Sequence, residues 1–188
     1  RPIGKRFHPT SMMTRGFTLI ESLVVVFIIL VLTLITLPSY RSGEKILSLE
    51  QAAARLEQDL RRAQALALSA KEFHGVIPRG GYGLYFSLTS SYILFADCST
   101  PPNYQYDAGG AGCNGFPEKV EQVFLPNVVS VASLSPGSPL TIVYTSPTPL
   151  VTFSGAGNNA SIILQLTDNA AKNKTIRANK AGLVEILP

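Results

Sequence analysis

Twenty-one consecutive residues, Phe17 to Leu37, carry one charge among them, the carboxylate of Glu21. As an α-helix this segment would be about 31 Å long, the thickness of a bilayer's hydrocarbon core. A carboxylate within such a stretch is costly unless it is paired, so the segment demands a partner for Glu21. A cleavable secretory signal would have a shorter apolar core and a small-residue cleavage site. Pro38-Ser39-Tyr40 does not supply that site. A basic residue, Arg15, before the span and a large polar body after it orient the N-terminus to the cytoplasm and the body outward.

The net charge is +4, but Arg1, Lys5, Arg6 and Arg15 all precede the apolar run. The rest of the chain has 12 basic residues (16 less these 4) against 12 acidic ones. A strongly basic body of the nucleic-acid-binding kind is therefore not indicated. The sequence begins at Arg1, and Met12 or Met13 is a plausible start codon. Residues 1–11 are accordingly kept apart from the fold.

Pro38 cannot continue regular helix bonding, and Gly43 weakens the same place, which predicts a kink or break. Beyond it, Leu49, Ala52, Ala53, Leu56, Leu60, Ala63 and Ala67 recur at three- and four-residue spacings. This periodicity predicts an amphipathic helix from about Glu44 to about Glu72, with Arg55–Asp59 and Glu57–Arg61 as i,i+4 pairs.

After His74 the period becomes that of strands. Tyr82–Leu88 and Tyr92–Ala96 read as a hairpin. Val120–Leu125, Val128–Leu134, Leu140–Tyr144, Val151–Phe153, Ile162–Leu166, Thr175–Ala178 and Val184–Leu187 follow, separated by turn-rich segments. The fold class expected is α+β: a long N-terminal helix, membrane half plus amphipathic half, packed on a mostly antiparallel β domain. The divisions are a leader at 1–16, an assembly helix at 17–37, an amphipathic helix at 38–73 and a β-rich head at 74–188.

Cys98 and Cys113 lie in a stretch rich in Pro, Gly, Asn and Asp. In an exported body they would form a disulfide; in a reducing compartment they would remain thiols. A metal site is not indicated, since only His8 and His74 exist and neither is near. Arg79-Gly80-Gly81-Tyr82-Gly83 lacks the Lys-Ser/Thr of a phosphate loop and precedes a strand, so it reads as a backbone turn. Neither a nucleophile motif nor a Ser/His/Asp pattern is present, so no enzyme activity and no cofactor are expected. Lys172, Lys174, Arg177 and Lys180 form a small basic cluster, diluted by Asp168 and Glu185.

The run Arg15-Gly16-Phe17-Thr18-Leu19-Ile20-Glu21, with the apolar stretch after it, resembles the processing site of type IV prepilins and type II secretion pseudopilins. Leu56–Ala67 and the ending Thr175–Ile186 are similar to minor pseudopilins and pilins of the GspH/FimT type, although Leu183 stands where a cation is frequent. The resemblance implies a pilin fold and a membrane prepilin peptidase that cuts between Gly16 and Phe17 and then methylates the Phe17 amine. It implies storage in the bacterial inner membrane, an inner-membrane assembly platform, and filament neighbours that are other pilin subunits. Glu21 would then face the Phe17 amine of a neighbour, with Pro38 shaping the helix. Some FimT-like pilins capture DNA through basic residues of the C-terminal region, which makes DNA uptake an alternative function. An uncleaved membrane-tethered domain is a third.

Overall fold

The computed structural model describes residues 16–109, 112–146 and 150–187, with the side chains of 36–42 outside that description. The expected leader residues Met12, Met13 and Arg15 also lie outside the described residues. Among the described residues one helix, α1 (Leu19–Leu68), is followed by nine strands. The chain divides into two units, Arg1–Arg41 and Ser42–Pro188.

The helix runs through Pro38 and Gly43 without a break. Pro38 has no N–H to give, so one helical hydrogen bond is missing while the turns on either side are carried by their own. The helix ends at Leu68, four residues before the sequence-based limit. Ala70 adopts a left-handed conformation (φ 45°). The Ala70 N–H bonds the Ala67 carbonyl at 3.0 Å, and the Lys71 N–H bonds that of Leu66 at 3.1 Å. This is a Schellman stop, built on alanine where glycine is usual, and so invisible to a search for C-terminal glycines.

In the second unit the helix buries the face that the spacing predicted. Leu49, Ala52, Ala53, Leu56, Leu60, Ala63 and Ala67 are each at most 4% exposed. Burying each leucine side chain stabilises by about 1.5–3 kcal/mol. Two antiparallel sheets receive this face. The larger has the order β3-β2-β1-β5-β6, and the smaller β4-β7-β8-β9. Their strands are β1 (Gly81–Phe86), β2 (Ser91–Asp97), β3 (Lys119–Phe124), β4 (Val129–Ser135), β5 (Leu140–Thr145), β6 (Leu150–Phe153), β7 (Asn159–Leu166), β8 (Asn169–Asn179) and β9 (Val184–Leu187). Polar bonds tie both sheets to the helix. Tyr92 of β2 donates to Asp59 at 2.6 Å, Arg62 pairs with Glu121 of β3 at 2.8 Å, and Arg61 reaches the Val184 carbonyl of β9 at 3.4 Å. Glu57–Arg61 forms as expected at 2.7 Å, whereas Asp59 is taken by Tyr92 instead of Arg55.

Strands β1 and β5 are buried almost without alternation, which one-sided cover cannot produce. The inner face carries Leu84, Phe86, Leu94 and Ile142 toward the helix. The outer face is covered by the loop between β2 and β3. Tyr106 of that loop packs on Tyr85 and Phe95, with ring centroids 5.2 and 5.6 Å apart, and the Thr141 hydroxyl donates to the Tyr104 carbonyl at 3.3 Å. Gly83 makes this layer possible, because a Cβ there would lie 2.9 Å from Val143 Cγ2 and 3.0 Å from Phe95 Cε1.

Candidate assembly site

The N-terminal site is built by a helix start. Thr18 stands just outside the first helical residue, and its Oγ1 accepts the Glu21 N–H at 3.3 Å while its carbonyl accepts the Ser22 N–H at 3.1 Å. Thr18-x-x-Glu21 is a capping pattern, with the acid in the first turn where the helix dipole favours it. This role of Thr18 was available in the sequence and is an addition to the pairing argument for Glu21. Phe17 is therefore outside the helix, 77% exposed, and nothing crowds Gly16. Phe17 lies four residues before Glu21.

Every side chain from Phe17 to Ile35 is exposed, around the whole circumference of the helix. Leu19 is 84% exposed and Phe27 64%. Among the described residues no helix is long and apolar enough to cross a membrane. The apolar part with described side chains, 19–35, is 17 residues or about 25 Å. Thr36 and Leu37, which complete the run, fall outside that description.

The cysteines are joined as a disulfide, Cys98–Cys113, with Cα atoms 5.1 Å apart. Two carboxylates hold the same loop, and the sequence reading did not single them out. Asp97, fully buried, accepts the backbone N–H groups of Ser99 (3.0 Å) and Tyr104 (2.7 Å). Glu118, 1% exposed, accepts from Cys98 N–H (3.3 Å), Ser99 hydroxyl (3.0 Å) and Asp107 N–H (3.1 Å). Burial pushes the Glu118 carboxyl above its ordinary range, against the lowering effect of the Asp107 N–H and the Ser99 hydroxyl. The loop also docks on the segment after the helix, where the His74 and Phe116 rings stack at 4.2 Å. His74 is thus a packing residue of a tight turn. Arg79-Gly80-Gly81 is a turn feeding β1, with Gly80 pressed against Asp97 and its N–H on the Asp97 carbonyl at 3.0 Å.

Of the four basic residues near the C-terminus, Lys174 and Arg177 face opposite sides of β8. Lys174 lies on the same side of β8 as buried Ile176 and Ala178, and faces Glu50 of the helix at 3.9 Å. Arg177 alternates to the opposite side and faces Glu185 at 3.8 Å. Lys172 borders a hollow beside the Lys45–Asp168 ion pair, and Lys180 one beside β6.

The helix thus carries a mostly apolar N-terminal stretch with an acid, Glu21, in its first turn, and its later part packs on antiparallel sheets. Residues 11–37 match the prokaryotic N-terminal methylation motif. Two crystal structures of the type IV minor pilin FimU of Pseudomonas aeruginosa (strain PAO1) are similar at a TM-score of 0.46. One is 10% identical, covering 74% of this chain and 93% of that one; the other is 12% identical, covering 74% and 88%. At this distance the likeness assigns nothing further to the chain. No curated protein sequence matches it.

Proposed function

We propose that the chain is a minor pilin or pseudopilin of the GspH/FimT type, a structural subunit that enters or primes a membrane-anchored filament of a type II secretion system or a type IV pilus. The observation that carries this reading is Gly16 and an exposed Phe17 followed, four residues on, by the single acid of the helix's apolar stretch. Prepilin peptidase cleavage frees the Phe17 amine and methylation follows. The processed subunit is then held in the inner membrane, with the head outside, until it is drawn into the filament. In the filament the carboxylate of Glu21 meets the Phe17 amine of a neighbouring subunit. An unpaired carboxylate in a helix bundle costs several kcal/mol, so the pairing selects one axial register and penalises others.

Mass spectrometry of the N-terminus of the chain from its native cell tests this. A chain beginning at methylated Phe17 is the expected result; an intact leader refutes it and favours the uncleaved tethered domain. Glu21→Ala should leave processing intact and abolish incorporation. The DNA-uptake alternative draws less support, because Lys174 and Arg177 face opposite sides of β8 and each stands opposite a carboxylate. Phosphate binding would need those cations on one surface.

A further inference from the structure

A groove of about 330 Å³ runs between α1 and the edge strand β3. Ala52, Tyr92, Val123 and Leu125 form its apolar floor, and Phe124, 69% exposed, stands on its rim. Arg55 borders it from the helix. The carboxylate expected to neutralise Arg55, that of Asp59, is turned to Tyr92, and no carboxylate among the described residues forms an ion pair with Arg55. The groove thus combines an apolar trough with a cation lacking an acidic partner.

The backbone beside it is also open. β3 lies at the end of its sheet, and among the described residues no strand pairs with its outer edge. The Leu125 N–H bonds the Ser90 carbonyl at 2.8 Å, and Tyr92 stands opposite Val123. In an antiparallel ladder the hydrogen-bonding direction alternates, so 121, 123 and 125 turn their backbone groups to β2. Gln122 and Phe124 turn theirs to the open edge. An added strand would find N–H and C=O partners there.

From these features we infer that the α1–β3 groove receives an extended, acidic segment of a neighbouring filament subunit. The segment adds to the edge of β3, places an apolar side chain over Ala52 and Val123, and sets a carboxylate against Arg55. A basic or uncharged segment would leave Arg55 without its partner charge in a contact that excludes water. This inference rests on the filament reading above and names the part of the head that selects a neighbour.

The test places p-benzoylphenylalanine at Phe124 of the full-length chain in its native cell, with Arg55→Glu and, as a control on the other helix flank, Arg61→Glu. Light should yield an adduct with another pilin-like subunit whose cross-linked peptide contains Asp or Glu beside an apolar residue. Arg55→Glu should lower its yield at least tenfold and Arg61→Glu should not. An adduct indifferent to Arg55→Glu, an adduct with nucleic acid or lipid, or no adduct in cells where Phe17 is processed and the chain is incorporated would each overturn the groove assignment alone. An unprocessed chain would overturn the filament reading and this inference with it. Arg55 is exposed, so its variant should retain the fold, which circular dichroism of the purified full chain checks.

Discussion

Gly182 closes the turn between β8 and β9, and replacing it with alanine separates two physical effects at one position. Its φ is +82°, and its N–H bonds the Asn179 carbonyl at 3.0 Å. A Cβ added there would lie 2.7 Å from Nε2 of Gln64 on the helix. Left-handed backbone at a non-glycine residue costs about 1 kcal/mol. Displacing the Gln64 amide from its rotamer adds about 0.5–1.5 kcal/mol, since the obstacle is the far end of a flexible side chain and not backbone. Gly182→Ala should therefore lose about 2 kcal/mol, and the thermal midpoint should fall by roughly 4–8 °C for a protein of this size. In a Gln64→Ala background the contact is gone, and the loss should shrink to about 1 kcal/mol, the backbone share alone. Urea unfolding of the full chain in detergent, followed by circular dichroism, measures all four corners of the cycle. A loss equal in both backgrounds would refute the contact between helix and closing hairpin. A loss below about 0.3 kcal/mol in either background would refute the whole argument.

Three further outcomes follow from the geometry. Replacing Cys98 and Cys113 by serine should cost about 3 kcal/mol, the chain-entropy value for a loop of 15 residues, and should expose Tyr106 to quenchers, as read by unfolding and tyrosine fluorescence. Glu118 has its folded pKa raised above its ordinary value of 4.5, so the folded state binds this proton more tightly than the unfolded chain. Stability from this group is full below pH 4.5 and declines as pH rises through the folded pKa, and Glu118→Gln should flatten that part of the stability–pH curve; an unchanged slope would contradict the assignment. Thr18→Ala removes the acceptor of the Glu21 N–H and should weaken the first helical turn by about 1 kcal/mol, speeding hydrogen exchange at the Glu21 amide by about fivefold in detergent-solubilised full-length chain.

What was legible depended on range. The heptad-like face from Leu49 to Ala67 is a local pattern, and all seven residues are buried. The strand runs were local too, so each of the nine strands matches a run named beforehand to within a few residues, apart from the early start of β8 at Asn169. The split into two sheets was not legible, because nothing in β4 or β5 says which distant strand it joins. The loop from Cys98 to Cys113 has the composition of turns, which says nothing of where it packs. It lies across a sheet face, held by Asp97 and Glu118, whose partners are mostly backbone N–H groups that carry no sequence signal. In the basic cluster, Lys174 and Arg177 are three apart on a strand and so turn to opposite sides, which closeness in sequence does not show.

The apolar stretch from Leu19 to Ile35 has no preferred side, and this has a consequence for partner choice. A rod that is equally adhesive in every direction can dock against any similar rod at any rotation about its axis, so it supplies strength without discrimination. The choice of neighbour, its depth and its angular setting must then be made by the few features that break that uniformity. They are the lone acid near its start and the sculpted surface of the head, which on the filament reading proposed above would turn a generic adhesive shaft into one addressed component of an ordered fibre.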